Sequence, residues 1–188
     1  MYWDPLPTVA KSVGLEITEY PFGPAFLGPP EEYLHGEWSK RDWRNVPGPF
    51  YCADTDNCLT GFVAPANVAF EDEFGSEFVY RQPRDEHEVQ RLLSAACQEV
   101  FEAYACDGDE HWTLALVREW WEERDRLLDW IATANEMWSQ QKGWDMTFLM
   151  GEYWAFITDG LEIYLREYGF WLEHRRPASP NEALPTLS

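Results

Sequence analysis

Positive charge is scarce in this sequence. Its 188 residues hold 14 lysines and arginines against 34 aspartates and glutamates, a formal net charge of −20. A surface of that sign repels phosphate, so direct nucleic-acid binding is not expected. The same surface attracts basic proteins and speeds encounter with them, although plain solubility would also be served by it. Long apolar runs are missing too. None approaches the ~20 residues that span a bilayer, so no membrane association is expected. The cysteines, Cys52, Cys58, Cys97 and Cys106, include no C-x-x-C pair, and their intervals match neither ferredoxin spacing. An iron–sulfur cluster is therefore not expected. No secretory or transit pattern opens at Met1, and the expectation is a cytoplasmic protein with reduced thiols. Walker, G-x-S-x-G and dinucleotide-binding fingerprints are lacking as well.

Aromatic residues are what the sequence has in abundance. They make up 16% of it, with 11 tryptophans, the composition of a chain that folds around a core. The length suits one domain, expected over residues 1–176. Its organising stretch is Thr113–Gln140. Leu116, Val117, Trp120, Trp121, Leu127, Leu128, Ile131, Ala134 and Trp138 recur largely at steps of three and four, which marks one helical face. Arg118, Glu122, Glu123, Asp125, Arg126 and Asp129 fill the opposite face. Thr113 suits an N-cap, Gly143 a stop and Lys142 the last turn, so a single long helix is expected.

Residues 1–50 are rich in proline and glycine. They are expected to wrap the body through Trp3, Tyr20, Phe22, Phe26, Leu27, Tyr33, Trp38 and Trp43, with a strand only at Val13–Glu19. Residues 50–83 hold the short runs Leu59–Val63, Asn67–Phe70 and Glu77–Gln82, with a tight turn at Gly75-Ser76, and a small antiparallel sheet is expected there. Asp85, with Glu88 three residues on, opens a helix reaching Tyr104, with Val89, Leu92, Leu93, Ala96, Cys97, Val100 and Tyr104 on its apolar face. Trp144–His174 reads either as a hairpin turning at Thr158-Asp159-Gly160 or as two helices broken near Gly160. More positions agree with the helices. Residues 177–188 are expected to be a disordered tail. The fold class is α+β, a small antiparallel sheet near the N-terminus with a helix-rich C-terminal body.

Several chemistries fail on spacing. Asp107–His111 offers oxygen and nitrogen ligands, but adjacent residues do not converge from several elements, and a solvated loop is expected instead of a metal site. Asp54-Thr55-Asp56-Asn57 begins like a calcium loop and lacks its glycine and closing glutamate, which leaves an Asx-type turn. Cys52 or Cys58 would need His35 brought beside it to act as a nucleophile, and nothing in the sequence favours that. Glu122-Glu123 and Glu71-Asp72-Glu73 would serve acid–base work only if one member were buried with a raised pKa. No cofactor is expected. What remains is acidic clusters flanked by aromatics, suited to docking a cationic partner: Glu71, Asp72, Glu73, Phe74 and Glu77 in one, Asp107, Asp109, Glu110 and Trp112 in the other.

The blocks DWRNVPGPFYCADTDNCLTGFVAPANVAF, EFVYRQP and YACDGDEHWTLALVREWW resemble a group of small acidic bacterial proteins, mainly actinobacterial. The resemblance covers roughly residues 38–130. Some sequences of this kind carry a ferredoxin label, which the cysteine intervals here contradict. By type they are similar to immunity proteins of polymorphic and contact-dependent toxin systems, in which an acidic inhibitor binds its cognate toxin. The resemblance implies a non-enzymatic protein whose partner is a basic toxin domain. Two other readings stay open: a hydrolase or transferase with a Trp/Tyr-lined pocket and a buried acid, and an acidic nucleic-acid mimic. Oligomeric state is not legible.

Overall fold

The computed structural model describes residues 1–19, 23–71, 75–140 and 146–188. Its fold class is α+β. The chain divides into two compact units, Asp4–Gly108 and a second made of Asp109–Ser188 with Met1–Trp3.

The Asp4–Gly108 unit begins with structure that proline was expected to prevent. Helix α1, Leu6–Lys11, carries Pro7 in its first turn, where a missing N–H costs nothing because no partner waits for it. Strands β1, Glu16–Glu19, and β2, Gly23–Phe26, then form an antiparallel hairpin, so the strand expected at Val13–Glu19 pairs with its own neighbour and not with residues 50–83. The expected sheet is in fact three separate two-stranded ladders. The second pairs β3, Tyr51–Cys52, with β6, Tyr104–Ala105, and the third pairs β4, Val68–Phe70, with β5, Glu77–Val79. Leu59–Val63 supplies a 3-10 turn at Thr60–Val63 instead of a strand. Between β4 and β5, Glu71 N–H donates to the Ser76 carbonyl at 2.8 Å and Gly75 takes φ 78°, which only glycine adopts freely.

Helix α2, Glu86–Ala96, starts as expected, with the Asp85 carboxylate accepting from Glu88 N–H at 2.8 Å. Val89, Leu92, Leu93 and Ala96 are buried. The helix stops at Ala96, short of Tyr104. Val100 is therefore not a core residue, and Tyr104 reaches the core from a strand.

In the second unit the expected rod is two helices, α4, Leu114–Glu122, and α5, Arg124–Gln140, after the short α3, Gly108–His111. Leu127, Ile131, Ala134 and Trp138 keep one buried face. Val117, ten positions before Leu127, would sit about 80° away from it at roughly 100° per residue, and the break at Glu123 resets that phase. Thr113 caps α4 through Leu116 N–H at 3.2 Å. Lys142 and Gly143, the expected last turn and stop, lie outside the described residues. The C-terminal third is two helices, α6, Thr147–Asp159, and α7, Leu161–His174, meeting at Gly160. Tyr2 packs its ring among Tyr164, Tyr168 and Trp171, at 5.3–6.2 Å between centroids. Residues 177–188 are docked on this unit, not free. Leu187 is buried, Arg118 donates to the Thr186 carbonyl at 2.9 Å and Arg166 to the Pro185 carbonyl at 3.0 Å. Among the described residues no helix is long and apolar enough to cross a membrane.

Candidate partner-binding surface

The two acidic clusters of the sequence do not stay together as faces. Asp107 and Glu110 are exposed. Asp109 is buried and accepts the Tyr168 hydroxyl at 2.6 Å, while Arg175 donates to its backbone carbonyl at 3.2 Å. Trp112 is buried in the same unit. Asp109 holds the α3 turn to α7, and neither residue presents its side chain to a partner. Glu71 is largely buried, with its carboxylate 4.0 Å from the Arg44 guanidinium. Asp72, Glu73 and Phe74 lie outside the described residues.

Glu77 corrects the expectation most sharply. Its relative exposure is 0%. One carboxylate oxygen accepts from Gly61 N–H at 2.9 Å and the other from the Tyr104 hydroxyl, with the Thr60 hydroxyl 3.4 Å away. Its own N–H donates to the Thr55 hydroxyl at 2.7 Å. Burial outweighs these donors and raises its pKa to about 7. Cys52 is sealed beside Tyr104, and burial pushes its thiol up as well. An acid with a raised pKa is what an enzyme would use, but this one has no exposed surface. Its visible work is to tie β5 to the 60–61 turn and to β6.

A second pair of buried acids has a different task. Asp56 and Glu99 are 8% and 3% exposed, and their oxygens are turned on the backbone that follows α2. Asp56 accepts from Cys58 N–H at 2.6 Å, the Asx turn read from the sequence, and from Val100 N–H at 3.1 Å. Glu99 accepts from Asp56 N–H at 2.8 Å, Phe101 N–H at 3.2 Å and Ala103 N–H at 2.7 Å. These bonds take the chain out of α2 and turn it toward β6. Periodicity could not reveal this, because an acid that caps a distant loop looks like any surface acid in a sequence.

Exposed acid gathers elsewhere. Along α4, α5 and the break between them, Glu119, Glu122, Glu123, Asp125, Asp129 and Glu136 are all exposed. The arginines of the same stretch are engaged within the unit. Arg118 is held by the Thr186 carbonyl, Arg124 lies over the Trp121 ring at 4.4 Å, and Arg126 stands 3.7 Å from Glu123. In the other unit, Glu31, Glu32, Glu37 and Asp54 are exposed around His35. The His35 ring touches Glu102 at 2.6 Å through Nδ1 and the Glu31 carbonyl at 2.8 Å through Nε2. The hydrogen bond to that carbonyl, followed by the one to Glu102, raises its pKa. No protein-family model, no curated protein and no solved structure matches this chain.

Proposed function

We propose that this protein is a non-enzymatic inhibitor of the immunity type, which neutralises a basic toxin domain by covering it with an acidic surface. The observation that carries the reading is the face of α4 and α5. Six exposed acids stand there against three arginines, of which Arg126 lies 3.7 Å from Glu123, so the stretch keeps an excess of negative charge. An excess of charge of one sign draws a cationic protein in and selects against other partners. A domain that acts on nucleic acid is basic because it binds phosphates, which makes it the natural target of such a face. The resemblance of residues 38–130 to small acidic bacterial proteins supports the same reading.

The test is capture on the tagged protein from its native host, washed at low and then at high salt. One basic protein that leaves only at high salt, and whose toxicity the purified inhibitor abolishes, is the expected result. Reversing Glu122, Asp125 and Asp129 to lysine is expected to slow association at least about tenfold at low salt, with little change in folding. An empty column, or neutralisation untouched by the three reversals, rejects the reading.

A further inference from the structure

Charge steers but rarely holds a complex by itself; buried aromatic and aliphatic anchors usually do that. Among the described residues of the Asp4–Gly108 unit, Val100 at 70%, Phe26 at 69% and Phe101 at 64% are the most exposed of the large apolar side chains. Single exposed apolar residues are ordinary on protein surfaces. The backbone beneath Val100 and Phe101 is not. Each N–H from Glu99 to Ala103 has an acceptor: Ala96 carbonyl, Asp56, Glu99, the Glu99 carbonyl and Glu99 again. Glu102 takes φ 54°, a left-handed conformation that side-chain-bearing residues adopt rarely. On the far side His35 N–H donates to the Glu102 carbonyl at 3.0 Å and Gly36 N–H to the Tyr104 carbonyl at 2.9 Å. A Cβ at Gly36 would stand 2.5 Å from the Ala103 carbonyl oxygen, so glycine is what lets the two segments lie so close. Two carboxylates are buried, and one residue is strained, to fix a loop whose large side chains then point outward. Such a loop meets a partner with little left to order.

Two open depressions flank it. One, of about 220 Å³, has Phe101 beside Glu37 and Asp54. The other, of about 450 Å³, runs from Phe26 to Glu102 with Glu32 on its wall and no cationic side chain in its lining. Two of these acids already have cationic partners, Lys40 at 2.5 Å from Glu37 and His35 bonded to Glu102, so Asp54 at the first depression and Glu32 at the second carry the charge that a partner meets. Apolar anchors ringed by acids complement a surface that alternates apolar and cationic groups.

We infer that the Val100–Phe101 loop is the apolar anchor of the interaction, and that its occupant is a cationic protein segment. Apolar side chains of that segment cover Val100, Phe101 and Phe26, and its arginines or lysines meet Glu32 and Asp54. This rests on the inhibitor reading above and adds where the complex is held.

The test uses three defined twelve-residue peptides: arginine alternating with leucine, arginine with serine, and glutamate with leucine. Each is titrated into the ¹⁵N-labelled full chain. The arginine–leucine peptide is expected to shift the amides of Phe26, Val100, Phe101 and Glu102, and to bind at least about tenfold more tightly than the other two. Val100→Ser with Phe101→Ser is expected to remove that tenfold while leaving the circular dichroism unchanged, since the N–H groups keep their acceptors. Equal affinity for the double variant, or shifts confined to α4 and α5, overturns the anchor and leaves the acidic inhibitor standing. Failure of both arginine peptides to bind at low salt overturns the two together.

Discussion

Glu77 keeps its proton inside the fold to a pH at which an ordinary glutamate has lost it, and that sets a direction for stability. Its folded pKa of about 7 stands above the ordinary glutamate value of 4.5, so between those values the folded state holds a proton the unfolded chain has released. Where the native state binds more protons, stability falls as pH rises. The loss begins near the unfolded pKa and is complete just above the folded one. From about pH 5.5 to about pH 7.5 this group alone removes roughly 2 kcal/mol of stability. Urea unfolding of wild type and Glu77→Gln at both values isolates it: the difference between the two proteins is expected to move by that amount, with wild type losing more. An unchanged difference would mean that Glu77 is ionised at both. His35 gives a second check at the same scale. Its ring is held by the Glu31 carbonyl and by Glu102, and its titration midpoint is expected above that of a free imidazole. Glu102→Gln is expected to lower that midpoint without returning it fully, because the Glu31 carbonyl remains; proton resonance of the ring reads both.

At the scale of elements, residues 177–188 make the clearest prediction. Leu187 is 4% exposed, and the carbonyls of Pro185 and Thr186 accept from Arg166 and Arg118. Deleting residues 184–188 removes a buried leucine and both acceptors, and is expected to cost about 2–4 kcal/mol of the unit's stability, read by tryptophan fluorescence in urea. A free tail would give no change. The same segment shows what the sequence could and could not tell. α2, α5, α6 and α7 were legible because each buries one face at helical spacing, and Asp85 and Thr113 because a cap is a local signal. The tail was not, since its proline-rich run has no helical or strand period, and the partners of its buried Leu187 and of the Pro185 and Thr186 carbonyls lie far back in the chain. β3 and β6 pair two residues with two across more than fifty positions, which leaves no pattern to read. Of the expected partner residues, Asp107 and Glu110 are exposed, while Glu77, Asp109 and Trp112 are buried. Val100 was passed over because its spacing continued the α2 face, and Phe101 because it fell inside the stretch expected to be that helix; the bonds from Asp56 and Glu99 turn both out.

For the molecule as a whole, charge acts on folding and on binding with opposite sign. A net charge of −20 on 188 residues repels itself in the compact state more than in the expanded one. That repulsion reaches ~30 Å at 0.01 M salt and ~8 Å at 0.15 M, so salt relieves it. The thermal unfolding midpoint is expected to rise by several degrees between about 0.01 M and about 0.3 M sodium chloride. Attraction of a cationic segment is screened by the same ions, and its affinity is expected to fall at least about tenfold over that range. The part of the affinity that survives high salt measures the apolar anchor, because burial of Val100, Phe101 and Phe26 does not depend on the ion atmosphere. Wild type and the Val100→Ser, Phe101→Ser double variant should therefore keep the same salt slope and differ by a constant factor. Converging affinities at high salt would mean that charge alone holds the complex, and that the outward-facing loop serves the fold.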